Sequence, residues 1–145
     1  MGLAAACDAV LATTDTTFAQ TELLFGLIPA IVLPYLAQRV VEQKLRWIAL
    51  RAQPLTAQEA LEIGLADQVC SSADALKVLR HWVRQMQRVQ PPAVAMWKRL
   101  TNKVATLSTD EAIQATLERL RDPAVRVGLK EFMETGCLPS MPKDS

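Results

Sequence analysis

The chain has 145 residues, 50% hydrophobic and 21% charged, which is enough apolar content to bury one sizeable core and excludes wholesale disorder. Its 16 basic and 15 acidic residues give a formal net charge of +1 and are interspersed, so no face for nucleic acid is expected. The longest apolar stretch, Leu23 to Ala37, is broken by Gly26, Pro29, Pro34 and Tyr35, which excludes a membrane-spanning helix.

Met1 to Cys7 reads as the inside of a buried small-residue helix, Leu3 to Ala6, with no cap before it, so the sequence is expected to start in mid-pattern, as a truncated one does. Asp8 to Thr13 and Thr17 to Gln20 read as buried strands. Gly26 and Pro29 punctuate a loop, and Ala30 to Val41 reads as an apolar helix in which Pro34 is tolerable only near the first turn. Val41 to Arg51 sets Leu45, Ile48 and Leu50 against Glu42, Lys44 and Arg46, a second helix.

Thr56 with Glu59 three residues on is a capping box, which predicts a short helix from Ala57 to Ile63 stopped by Gly64. Asp67 to Cys70 is expected as an edge strand, after which Ser71 or Ser72 caps a long amphipathic helix to about Val89, ended by Gln90-Pro91-Pro92. Three more helices follow, at about Ala93 to Thr106, Asp110 to Leu120 and Ala124 to Glu134, the last two opened by Ser108 or Thr109 and by Asp122-Pro123. A polar tail from Pro139 to Ser145 is expected to fray.

Cys7, Cys70 and Cys137 are odd in number, far apart and outside metal-ligand spacing, which predicts reduced, buried or inert thiols in a cytoplasmic compartment. No charged leader region of a secretory signal is visible, in keeping with that location. No cofactor or metal site emerges. His81, beside Trp82, reads as a boundary histidine without a role. Trp47, Trp82 and Trp97 read as core or subunit-interface residues, and Lys98, Arg99 and Lys103 as a solvated face that is also placed to meet the phosphates of a CoA or phosphopantetheine arm.

Glu22 is the candidate for chemistry. It follows a strand and is flanked by Phe18, Leu23, Leu24 and Phe25, a setting expected to desolvate its carboxyl and raise its pKa toward neutrality, where an acid or base works best.

The ordered run Cys7-Asp8-Ala9-Val10-Leu11-Ala12, Phe18-Ala19-Gln20-Thr21-Glu22-Leu23 and Gly26-Leu27-Ile28-Pro29 resembles the signature block of the crotonase (enoyl-CoA hydratase/isomerase) superfamily. Leu55 to Val69 is similar to the helix-turn-strand that follows in that family, and Pro91-Pro92-Ala93-Val94 to its next landmark. The resemblance implies an α/β fold: residues 1–70 the C-terminal part of a ββα spiral core, residues 71–145 a mostly helical region used for homotrimers.

It also implies chemistry on an acyl thioester carried by CoA or an acyl carrier protein, with the thioester oxygen held in a two-amide oxyanion hole. Both amides fall before Met1 in the family pattern, so a 145-residue polypeptide alone is expected to be inactive. Glu22 matches the second of the two hydratase glutamates, and the first falls on Gly2.

Among one-glutamate members, Thr21 to Leu36 is most similar to the dehydratase of polyketide β-branching, which converts a 3-hydroxy-3-methylglutaryl thioester on its carrier protein into a 3-methylglutaconyl one. The alternatives are a generic enoyl-CoA hydratase or isomerase and a non-catalytic remnant serving only oligomerisation, which an in-frame sequence upstream of Met1, or a stop codon there, would distinguish.

Overall fold

The computed structural model describes residues 1–25, 27–102 and 108–136. Gly26, Cys137, Lys103, the far end of the helix expected to reach Thr106, and the tail from Pro139 lie outside them. Contacts divide the chain into one compact unit from Met1 to Arg80 and another from His81 onward.

The first unit interleaves short helices with shorter strands: α1 (Gly2–Ala5), β1 (Leu11–Thr13), β2 (Thr17–Phe18), a 3-10 turn (Glu22–Phe25), α2 (Leu33–Ala37), α3 (Glu42–Arg51), β3 (Leu55–Thr56), α4 (Ala57–Glu62) and β4 (Gln68–Cys70). β1 pairs in parallel with β4, Ala12 opposite Val69, and β2 pairs antiparallel with β3, Phe18 opposite Leu55. The mixed α/β class expected from the sequence is therefore present.

Leu36, Ile48, Leu65 and Val40 are the largest fully buried side chains, and Ala12, Ala57, Ala60 and Ala66 complete the core. The alanines bring α4 close to β2, β3 and β4, because a side chain ending at Cβ lets backbones approach.

α4 has the predicted ends. Thr56 Oγ1 accepts the Glu59 N–H at 3.2 Å while Glu59 Oε2 accepts the Thr56 N–H at 2.7 Å. At the other end Gly64 has φ +82°, and the Leu65 N–H donates to Ala60 O at 2.9 Å and the Gly64 N–H to Leu61 O at 3.1 Å, the double bond of a Schellman motif. The motif drops Leu65 into the core. Arg39 then ties the unit together: its guanidinium donates to Cys7 O at 2.8 Å and to Asp67 Oδ2 at 3.1 Å, while the same Asp67 oxygen accepts the Val10 N–H at 2.6 Å.

Three expectations need correction here. The helix expected from Ala30 to Val41 shrinks to Leu33–Ala37, because Pro34 has no N–H to give and fits only the opening turn. The Leu3 to Ala6 helix is not buried throughout: Ala5 is, but Leu3 is 90% exposed. Cys7 and Cys70 are unpaired, yet Cys7 is exposed rather than buried, its thiol donating to Leu3 O at 3.3 Å.

α5 (Ala75–Met86) follows a turn in which Ser71 Oγ accepts the Asp74 N–H at 3.1 Å, so the serine fixes the turn before the helix rather than its first residue. The prolines expected to end α5 instead occupy the first turn of α6 (Pro91–Thr101), where a missing N–H costs nothing. α7 (Thr109–Arg121) opens on a second capping box, Ser108 with Glu111, and α8 (Pro123–Thr135) on Asp122, whose Oδ1 accepts the Ala124 N–H at 2.9 Å. Among the described residues of this second unit, Met96 alone is buried. No described helix is long and apolar enough to cross a membrane.

Candidate active site

Beyond β2 the chain has no regular structure until the 3-10 turn at Glu22. Phe18 is buried, Ala19 is exposed, Gln20 is buried, and Glu22 is half-buried at the start of its 3-10 turn. The turn is closed by Leu24 N–H donating to Thr21 O at 3.0 Å and Leu27 N–H donating to Glu22 O at 3.1 Å, with α3 packed against it.

Glu22 Oε2 is a buried atom with no hydrogen-bond partner, and so is Gln20 Oε1. Leaving a buried acceptor without a donor costs about 1–3 kcal/mol. The surroundings differ from the sequence expectation. Leu23, Leu24 and Phe25 are 39%, 67% and 77% exposed, so they are not buried in an apolar wall as the sequence suggests. Of the four flanking residues, Phe18 alone is in the core.

Gly2 has no room for a side chain. A Cβ built there meets Val32 Cγ1 at 2.3 Å and Val32 Cβ at 2.8 Å, both far inside van der Waals contact, and α1 packs on α2 just beyond. A carboxylate at position 2 is thus excluded while Val32 keeps its place.

His81 is exposed, Trp47 and Trp97 are 60% and 66% exposed rather than core residues, and Lys98 and Arg99 lie on the exposed side of α6. An open groove of about 650 Å³ runs over α7 and α8, lined by Leu120, Arg126, Leu129, Lys130, Met133 and Glu134. It holds none of the residues singled out for chemistry. Gln20 is a buried polar residue of this segment that the sequence does not single out.

The model of the enoyl-CoA hydratase/isomerase family matches residues 1–138. The chain belongs to that family. Within it, the chain is 32% identical over 142 residues to the bacillaene synthase dehydratase PksH of Bacillus subtilis, covering 96% of this chain and 54% of that protein. It is similar to the crystal structure of PksH, a polyketide biosynthesis enoyl-CoA hydratase, at a TM-score of 0.62 over 94% of this chain and 55% of that one. An enoyl-CoA hydratase/isomerase of Marinobacter aquaeolei, 27% identical, superposes at a TM-score of 0.83 over 97% of this chain and 54% of its own. The chain spans about half the length of the relatives it matches.

Proposed function

We propose that the chain supplies the catalytic carboxyl of a lyase that dehydrates β-hydroxyacyl thioesters, and that the substrate is 3-hydroxy-3-methylglutaryl on an acyl carrier protein, giving a 3-methylglutaconyl thioester. The observation that carries the reading is the contact between Gly2 and Val32. It leaves Glu22 without the paired carboxyl that the two-glutamate pattern puts at position 2. The similarity to a relative named as a dehydratase of polyketide synthesis supports the finer substrate.

A single carboxyl suffices for a syn elimination. Glu22 as carboxylate takes the α-proton, the Cα–H electrons form the Cα=Cβ bond, and the Cβ–O bond breaks. The carboxyl returns the proton to the leaving hydroxyl, so water departs and the carboxylate is restored. The negative charge that builds on the thioester oxygen calls for N–H donors such as the two amides of the family pattern.

In the intact enzyme with the carrier-bound substrate, Glu22→Gln lowers kcat by at least ~100-fold. Near-full turnover of that variant removes Glu22 from the mechanism. A generic enoyl-CoA hydratase or isomerase is the second reading, favoured by the relatives so named; faster turnover of the CoA thioester than of the carrier thioester selects it. A cytoplasmic location and homotrimer formation through residues 71–145 complete the proposal, the homotrimer supported by the apolar side chains that α7 and α8 leave exposed.

A further inference from the structure

Between Asp74 and Asp110 seven cations follow one another with no carboxylate among them, although the whole chain has a net charge of only +1. Three of the seven fall on α5. Lys77, Arg80 and Arg84 are spaced three and four residues apart, which sets them in one row along the helix, about 10 Å from end to end at ~1.5 Å per residue, with Arg88 in the turn that closes it. They belong to one unbroken helix, so the row follows from its own period. All four side chains are exposed, and among the described residues none of them takes part in an ion pair. Elsewhere the chain sets surface cations three or four residues from an acid, Arg46 with Glu42, Arg119 with Asp122 and Lys130 with Glu134. α5 contains no acid to do the same. Beside the cations runs a second row, Leu76, Leu79, Val83 and Met86, each at least 45% exposed, while the half-buried Ala75, Val78 and Trp82 occupy the remaining side of the helix.

From this double row we infer that α5 is the docking surface for the acyl carrier protein, which seats an acidic, amphipathic helix along it, carboxylates on Lys77, Arg80 and Arg84 and apolar side chains on Leu79 and Val83. The inference rests on the carrier-thioester reading and gives it a place on the molecule. A substrate tethered to a protein cannot diffuse in alone, so the enzyme has to capture its carrier and release it at every turnover. A row of exposed cations serves both needs. Their summed field draws an anionic partner in from solution, while each ion pair formed at the surface is weak and lets go. The apolar row beside them matches a helix of a protein and has no use on a phosphate backbone, and a row two turns long and one residue wide matches a single helix.

The test gives the intact enzyme the same hydroxyacyl group on the carrier protein and on free pantetheine, a thioester with no protein to dock. In the double variant Arg80→Glu/Arg84→Glu the KM for the carrier thioester is expected to rise at least ~10-fold with kcat little changed, so that kcat/KM for the carrier falls relative to that for the pantetheine thioester. In the parent, raising salt from about 50 to about 300 mM lowers kcat/KM for the carrier thioester alone, and the double variant loses that salt slope. Should the double charge reversal fold poorly, Arg80→Gln/Arg84→Gln gives the same change in ratio and in salt slope at smaller size. An equal loss for both thioesters, or no loss for either, overturns the docking surface. So does a double variant that keeps its KM for the carrier but changes its oligomeric state in sedimentation, which makes the row a contact between copies, or loses binding of the parent to phosphatidylserine vesicles or duplex DNA, which makes it a site for those polyanions. The reading beneath fails separately: a parent that turns over the CoA thioester and not the carrier thioester has no carrier to dock.

Discussion

The unit from Met1 to Arg80 and the helices from His81 onward are specified in opposite ways. In the first, β2 and β3 have two residues each and α1 and α2 four and five, too short to exist without neighbours. They are held by a shared core around Leu36, Ile48 and Leu65, and by the reach of Arg39 to Cys7 and Asp67. In the second, α7 and α8 have 13 residues each and carry complete end signals: the Ser108 box, Asp122 with Pro123, and Gly136 in the left-handed region at φ +67°. Yet Ile113, Leu117, Leu120, Leu129 and Phe132 all remain at least 40% exposed. Local signals thus suffice to write a helix, but a core has to be closed by whatever surface meets those side chains.

The largest effect should come from taking volume out of the first unit and not the second. Leu36 is fully buried, so Leu36→Ala is expected to lower the stability to denaturant by about 2–5 kcal/mol, the transfer loss plus the cavity. Leu129→Ser on α8 should change that stability by about 0.5 kcal/mol or less, since its side chain is already 45% exposed, but should weaken self-association in equilibrium sedimentation. A large loss of monomer stability in Leu129→Ser would erase the contrast between the two regions.

The same contrast explains what could be read in advance. The capping box at Thr56, the left-handed glycine after α4 and the proline that opens α8 act within four residues of themselves and lie where the sequence puts them, while of the two starts it offers for α7, Ser108 and Thr109, the structure uses Ser108. The span from Ala30 to Val41 reads as one helix because it is apolar apart from Gln38 and Arg39. Its true length is set by Pro34 below and by the burial of Leu36 and Val40, which is a tertiary matter. Glu22 was visible through the motif around it. Its setting was not: adjacency in sequence to Leu23, Leu24 and Phe25 said nothing of their direction once the chain turned into a 3-10 coil, and Val32 against Gly2 joins residues thirty positions apart. The charge reading was also too coarse, since Lys77, Arg80, Arg84, Arg88, Lys98, Arg99 and Lys103 follow one another with no carboxylate between Asp74 and Asp110.

A smaller effect tests how tightly the core fixes the backbone. Gly64 is doubly constrained: its φ of +82° disfavours any Cβ, and a Cβ there would sit 3.1 Å from Arg39 O. Gly64→Ala is expected to cost about 1–2 kcal/mol by denaturant unfolding. A neutral result would mean that the turn and the Arg39 backbone yield together, and that the first unit is less rigid than its buried side chains suggest.

The finest test sets the two capping boxes against each other, since their chemistry is the same and their surroundings differ. Thr56→Ala removes the acceptor for the Glu59 N–H next to a buried helix and should cost the whole first unit about 1 kcal/mol. Ser108→Ala removes the equivalent bond to the Glu111 N–H, but on a helix with no core of its own, so the loss should show as faster amide exchange in the first turn of α7 with the global midpoint unmoved. Acid sharpens the difference. The Thr56 N–H first, and then the Arg51 side chain, hold the Glu59 carboxyl below its ordinary 4.5. A carboxyl whose folded value lies below its unfolded one stabilises the fold fully above 4.5, and that contribution drains away as the pH falls through the folded value. Glu59→Gln should therefore destabilise the chain at neutral pH and converge on the parent in acid. A gap of constant size across that range would assign the effect to lost packing rather than to the charge.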